Sequence, residues 1–365
     1  MEPTDEKHLR AMTFLVSLGG IFVIGGTAEA GPDSYLSVML TLPAVLAIGA
    51  LYAHLARLGG ADGYFGLCRR ALGTVGGFLA TAVTGMYALF VGSALLGDLT
   101  YFVHTVMLPA LPKAVVAAAV LLVAAYAVSC GDRAMRWSAP LFTRTILGML
   151  AFTILLSLLA VDYGNFPLPV FADGLGTVLN GSWMVFSMSF CETVILLPLV
   201  RSGREKKLRT SGFLRGGAAA VLLLALIFLR NLLALGSETA GRLFFRSFAA
   251  VRVVSFGAFF QRLEIFVSLA YLLCDLFELT ACIRCIVGAA DALSKRPVHR
   301  AAVLPVGLIL FTGALLFASD EQKITAMIQV DRLAAPAAAI LLPLAVWLGM
   351  AVKSGKHGKV RRRLD

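Results

Sequence analysis

Several acidic residues lie inside long apolar stretches of this 365-residue chain, where a charge is costly. Asp275 and Glu278 are three positions apart, so on a helix they share one face. An ionisable side chain at bilayer depth costs about 2.5–3.5 kcal/mol, so it needs a partner or a function. This face could line a hydrated cavity and carry a proton or cation, or it could form structural ion pairs with Arg230 or Arg284. The other ionisable residues inside or at the edges of apolar stretches are Glu29, Asp98, Glu192, Arg144 and Arg262.

The first apolar stretch contains two glycine pairs. Gly19-Gly20 and Gly25-Gly26 flank a short apolar segment, and Thr27 follows. Glycine weakens a helix and exposes its backbone. Secondary transporters bind amino acids at helices broken near the bilayer midplane, because the N-terminus of a half-helix attracts a carboxylate. Close packing between helices through small residues is the alternative interpretation.

The sixth apolar stretch has a second candidate interruption. Ser187, Ser189, Phe190 and Glu192 follow one another closely, and Pro198 lies near the end of the stretch. Hydroxyls beside an aromatic ring and a carboxylate suit an unwound segment that faces a ligand. Serines in membrane helices also commonly bond only the preceding carbonyls. Interruptions in the first and sixth helices favour a transporter fold, since an inverted repeat of five helices places these two in corresponding positions.

Motifs for metal or enzyme chemistry are weak. Cys282 and Cys285 form one CxxC pair without a second pair or a nearby histidine, so they are interpreted as small apolar residues on a helix face. The chain contains no HExxH or GxSxG motif, and its five histidines lie mainly near helix ends or in loops. We therefore expect a protein that is not an enzyme and has no cofactor or metal.

The elements that must position these residues are ten apolar runs. The chain is 59% hydrophobic with a mean hydropathy of +0.86, more apolar surface than a soluble domain can bury. A membrane crossing needs about 20 apolar residues, which most of the runs supply. The sequence predicts an all-α polytopic membrane protein with about ten transmembrane helices in a single permease-like domain over 1–365. The runs are roughly 11–31, 34–56, 75–107, 112–130, 138–161, 177–200, 211–236, 262–290, 301–318 and 333–352.

The distribution of basic residues predicts the orientation. Most of the 32 lysines and arginines fall in every second gap between the runs, including the termini 1–10 and 353–365. Because basic residues resist translocation, both termini are predicted to be cytoplasmic. The net charge of +11 is thereby explained by topology and by attraction to anionic lipid, and we expect no nucleic-acid partner.

Landmarks in a fixed order run along nearly the whole chain. Their order and spacing resemble the B subunits of spore germinant receptors, the endospore germination permeases of the amino acid–polyamine–organocation superfamily. The most telling piece is the segment 260–264, which opens the eighth helix with phenylalanine, arginine and glutamate. The landmarks are Gly20, Pro32-Asp33, Gly131-Asp132, Arg136, Asn165, Pro169-Val170, Gly174-Leu175-Gly176, Ser187, Ser189-Phe190, Glu192, Pro198, Phe260-Gln261-Arg262-Leu263-Glu264 and Leu342-Pro343.

This resemblance implies a LeuT-like fold with a five-plus-five inverted repeat. It also implies a nutrient sensor in the inner membrane of a dormant spore, which assembles with A and C subunits and opens an ion pathway when a germinant, often an amino acid, binds. Many relatives have a proline where Ile24 to Gly26 stand in this chain, so the pocket shape differs here. The rival function is an autonomous proton-coupled amino acid or polyamine transporter of the same fold, because fold does not determine function.

The resemblance also implies a set of site residues. Arg262 and Glu264 are expected to form a structural or gating pair at the outer membrane edge, and Asp275 and Glu278 are candidates for ion or proton coupling. The expected substrate-binding residues are Gly19, Gly20, Gly25, Thr27, Tyr87, Ser187, Ser189, Phe190 and Glu192.

Overall fold

A computed structural model describes most of the chain. The described residues are 5–24, 28–158, 161, 163–166, 171, 174–200, 211–253, 262–294, 299–317 and 321–361, with only the backbone described for 24, 28–30, 299–300, 317 and 354–361. Every regular element in these ranges is helical. Seven helices are long and apolar enough to cross a membrane, and two shorter apolar helices, Lys113–Ser129 and Ala301–Leu316, accompany them. With a broken helix at the start of the described chain, these make ten spans.

The first five spans are built as follows. Span 1 is α1 (Glu6–Leu18) and α2 (Ile21–Ile24), and span 2 is α3 (Ser34–Leu40) and α4 (Leu42–Gly59), preceded by the 3-10 segment Ala28–Asp33. Span 3 is α5 (Gly63–Phe102) with a π turn at Val103–Met107, span 4 is α6 (Lys113–Ser129), and span 5 is α7 (Gly131–Leu158).

The second five spans contain more irregular turns. Span 6 is α8 (Leu175–Val185), a π turn (Phe186–Phe190) and a 3-10 segment (Cys191–Leu199). Span 7 is α9 (Ser211–Leu235), and the short helices α10 (Ser237–Arg242) and α11 (Arg246–Val253) follow it. Span 8 is α12 (Glu264–Leu293), span 9 is α13 (His299–Phe317), and span 10 is α14 (Glu321–Pro336), a π turn (Ala337–Leu341) and α15 (Leu342–Arg361).

Two spans begin earlier than their apolar runs predict. Helix α5 starts at Gly63, and its charged first turns are separated from the apolar part by a kink at Gly73, whose φ of 79° is left-handed. Helix α14 starts at Glu321, although the apolar run begins at residue 333. The hydropathy of 321–332 is low because this stretch carries five ionisable residues, yet Ile324, Met327 and Ile328 are buried.

The core forms around spans 1 and 8. Helix α12 packs against spans 3, 5 and 9 and is buried along most of its length. Helix α1 packs closely on α9, where a Cβ added at Gly216 would lie 2.6 Å from the carbonyl oxygen of Arg10. Such close approach requires a residue without a side chain. Span 1 is therefore held deep in the bundle, between spans 7 and 8.

Candidate functional site

Span 1 is broken at the first glycine pair. Helix α1 ends at Leu18, Gly19 has φ 36° and ψ −154°, and the helix resumes at Ile21. The break lies where the sequence predicts an interruption, because a left-handed φ is accessible to glycine at little cost. Gly25 and Thr27, which were also predicted to bind substrate, lie outside the described residues.

Span 6 is irregular beside this break, but it is not unwound. It changes from an α-helix to a π turn at Phe186 and then to 3-10 geometry from Cys191 to Leu199. π turns occur frequently at functional sites because they misalign the backbone hydrogen bonds. Phe190 is 1% exposed and packs in the core.

The two predicted serines of span 6 have different roles. Ser189 donates a hydrogen bond to the carbonyl oxygen of Ser17, near the end of α1. Ser187 donates to the carbonyl of Met184 at 3.0 Å, within its own helix. Ser189 therefore joins the two irregular spans, while Ser187 follows the local bonding pattern common for serine in membrane helices.

The two acidic residues of α12 lie against the break in span 1. A Cβ added at Gly19 would lie 3.0 Å from Oε2 of Glu278, and one at Gly20 would lie 3.6 Å from Oδ2 of Asp275. Both side chains are fully buried, and their four carboxylate oxygens make no hydrogen bond with the described part of the protein. Glu192 of span 6 is close enough to Glu278 for their charges to interact. The sequence prediction that Asp275 and Glu278 share a face is met, and that face is turned towards span 1.

The basic residues considered as partners for this pair lie elsewhere. Arg284 forms an ion pair with Asp132 at the start of α7. Arg230 is 1% exposed, and its Nε and Nη1 atoms have no hydrogen-bond partner among the described residues. A structural ion pair with either arginine is thus not formed by Asp275 or Glu278.

A small cavity of about 50 Å³ opens beside the break. Asp98 of span 3, Glu192 of span 6 and Asp331 of span 10 contribute the charged groups of its wall. Its volume is enough for a few water molecules. The remaining lining residues are Gly20, Ile21, Phe90, Val91, Ala94, Leu95, Met188, Ile324, Met327 and Ile328.

Tyr87 supports the cavity from behind. Its hydroxyl donates to Oδ1 of Asp331 at 3.3 Å, and the ring is 5% exposed. The predicted residue of helix three therefore acts on the cavity through Asp331. The sequence analysis missed Asp331 because it considered only carboxylates within the apolar runs. Its spacing from Ile324, Ile328 and Ala335, with which it shares a buried helix face, could have revealed it.

Arg262 and Glu264 lie at the start of α12, away from the cavity. Arg262 is exposed and Glu264 is half-buried, and the described side chains show no ion pair between the two. Eleven residues separate Glu264 from Asp275, which corresponds to about 16 Å along a helix. Their distance from the cavity agrees with a role other than ligand contact, and the proposed gating pair stays a prediction.

Comparison with known proteins identifies the family. A profile described as "Spore germination protein" matches residues 10–322. The chain belongs to the spore germination protein family. Spore germination protein KB of Bacillus subtilis (strain 168) is 21% identical over 318 residues, which cover 86% of this chain and 85% of that protein. The predicted family is confirmed.

A solved transporter structure shows the same fold as this spore germination family member. Mhp1, a nucleobase–cation–symport-1 family transporter in a closed conformation with bromovinylhydantoin bound, superposes with a TM-score of 0.63. The two proteins are 13% identical, and the match covers 94% of this chain and 78% of Mhp1. The predicted all-helical, LeuT-like transporter fold is confirmed, and an integral membrane protein of permease type follows from family and fold together.

Proposed function

We propose that this protein is the nutrient-binding subunit of a spore germinant receptor. Its family and its transporter fold support a permease-like role in germination. The observation that carries the proposal is the meeting of two irregular spans at a small cavity, with the broken backbone of Gly19-Gly20 on one side and the π turn of span 6 on the other. Transporter folds bind small solutes at such junctions.

In this proposal the ligand is an amino acid that binds between spans 1 and 6. The bare backbone around Gly19, Gly20, Gly25 and Thr27 receives the carboxylate, and Glu192 meets the ammonium group. Ser189 and Phe190 line the approach, and Ser187 and Tyr87 hold the surrounding turns in place. A ligand that competes for the Ser17 carbonyl or the Ser189 hydroxyl shifts the protein towards a state in which spans 1 and 6 separate.

The buried carboxylates supply the response to ligand binding. Asp275 and Glu278 contact the broken backbone, so a change in span 1 alters their surroundings directly. We assign them to proton or cation coupling, because buried carboxylates without partners bind positive charge readily. The signal passes to A and C partner subunits in the inner spore membrane and leads to ion release. Cytoplasmic termini, 1–10 and 353–365, complete the proposed topology.

One observation favours the rival function of an autonomous proton-coupled amino acid or polyamine transporter. Glu192 and Glu278 are two acidic groups near each other beside the cavity, an arrangement that proton-coupled transport would use. A transporter works without partner subunits, and this difference separates the two functions experimentally.

The experiment compares spores that lack this gene with spores complemented by wild type, Ser189→Leu or Thr312→Val. Thr312 is the matched control because its exposed hydroxyl bonds only its own helix, at Leu308 O, 2.9 Å. We expect germination with a nutrient panel, followed by the fall in optical density, to be lost in the deletion and in Ser189→Leu and restored by Thr312→Val. Normal germination of the deletion strain with every nutrient would contradict the receptor role. Accumulation of a labelled amino acid by liposomes containing only this chain, driven by a pH gradient, would support the transporter instead.

A further inference from the structure

The cavity wall carries an excess of negative charge. Asp98, Glu192 and Asp331 come from three different spans and line the same space, and no basic side chain is among its described lining residues. Asp331 is 7% exposed, and its only hydrogen bond in the described structure is the 3.3 Å contact with Tyr87, so Oδ2 has no partner. This oxygen belongs to a buried side chain that lines the cavity.

Nearby arginines do not neutralise this charge. Arg332, the neighbour of Asp331 in sequence, donates to Oδ1 of Asn180 in α8. Arg284 of α12 is paired with Asp132. The cavity is therefore left with three carboxylates, with the buried Asp275 and Glu278 behind the wall at Gly19-Gly20.

The arrangement of the acidic groups favours an organic cation over a metal ion. Among the described residues, no three acidic, histidine or cysteine side chains converge on a point that could hold a metal. A metal ion requires several oxygen ligands at about 2.0–2.6 Å from one centre. Ammonium groups carried on an aliphatic chain can meet separated carboxylates one at a time. The apolar lining between these carboxylates, including Val91, Leu95 and Ile328, suits the methylene groups of such a chain.

We propose that the cavity takes a ligand of net positive charge, either a basic amino acid or a short aliphatic diamine, whose ammonium groups are held by Asp331, Glu192 and Asp98. This inference rests on the proposed function, since it specifies the nutrient class for the same site. Asp331 and Asp98 are ligand-binding residues in it, and Tyr87 is a positioning residue that orients Asp331. Met188 and Met327, which have flexible side chains, line the cavity and can move to enlarge it.

The test measures ligand-dependent thermal stabilisation of the purified full-length chain with matched ligands. Lysine is compared with norleucine, which lacks the side-chain ammonium group, and 1,4-diaminobutane is compared with 1,4-butanediol. We expect stabilisation by lysine or the diamine and little by the uncharged counterparts. Asp331→Asn and Asp98→Asn should each weaken binding roughly ten- to hundredfold, the range for one hydrogen bond to a charged group.

Glu238→Gln is the control variant, because Glu238 is 82% exposed on α10 and pairs only with Arg242 in the described structure. It should bind like wild type. Equal stabilisation by lysine and norleucine, an unchanged affinity in both aspartate variants, or no response to any amine from a cooperatively unfolding protein would overturn the inference. These outcomes leave the germination phenotype of the deletion strain unaffected, so failure of the ligand class is distinguishable from failure of the receptor role.

Discussion

Replacement of Ser189 by alanine tests the link between spans 1 and 6. Ser17 is one of the last four residues of α1, so its carbonyl has no partner within the helix and accepts the Ser189 hydroxyl instead. The residue at each end of this bond is buried. Ser189→Ala leaves the carbonyl unsatisfied in an apolar interior, which should lower the free energy of unfolding by about 1–3 kcal/mol.

Ser187→Ala is the matched control. Both serines are buried in the same π turn, and the two variants remove the same hydroxyl group. The Ser187 hydroxyl bonds a carbonyl only three residues earlier, so its loss should cost less than about 1 kcal/mol.

Thermal unfolding of the purified variants in one detergent measures the difference. A change of 1 kcal/mol shifts the melting temperature by about 2–4 °C in a chain of 150–250 residues, and by somewhat less in a longer one. We expect Ser189→Ala to melt several degrees lower and Ser187→Ala to stay near wild type. Equal melting temperatures for the two variants would refute the argument that the bond between spans stabilises the break.

Three further variants test the packing of the spans. Tyr52→Phe removes the hydroxyl that donates at 2.8 Å to a buried carbonyl in the π turn of span 10, and it should lower the unfolding free energy by about 1–3 kcal/mol; an unchanged melting temperature would argue against this support. Gly216→Ala places a Cβ 2.6 Å from the backbone of α1 and should destabilise by about 1–3 kcal/mol, whereas Gly148→Ala, with no atom within 4 Å, should be neutral or stabilising by up to about 1 kcal/mol. Asp132→Asn should destabilise, and combining it with Arg284→Gln should cost less than the sum of the single changes; additive losses in this double-mutant cycle would show that the pair is not coupled.

The local features of the site were predictable where one residue type decides them. The glycine pair Gly19-Gly20 predicts the break in span 1, because only glycine adopts the required backbone angles cheaply. The predicted irregularity of span 6 lies at Ser187 to Glu192, but its form is a π turn followed by 3-10 geometry instead of an unwound segment. The choice between these forms depends on neighbouring spans, which local sequence does not encode.

Contacts between distant segments were not predictable. Arg284 meets Asp132, and Arg332 meets Asn180, and in both cases 152 residues separate the partners. Which carboxylate an arginine reaches depends on how the spans pack, and hydropathy and spacing within one span carry no information about this. The place of Asp331 in the cavity was missed for a related reason, since the charges of α14 hide its buried face from an average over hydrophobicity.

The two parts of span 1 are attached to different neighbours. Helix α1 is locked to α9 by backbone contact at Gly216, while the carbonyl of Phe22 in α2 accepts a hydrogen bond from Ser247 of α11. The Gly19-Gly20 joint therefore acts as a mechanical coupling between two anchored levers. Force applied through α11 reaches the acidic pair of α12 at this joint before it reaches α1. A partner that grips the α10–α11 face could thus work the joint without entering the cavity.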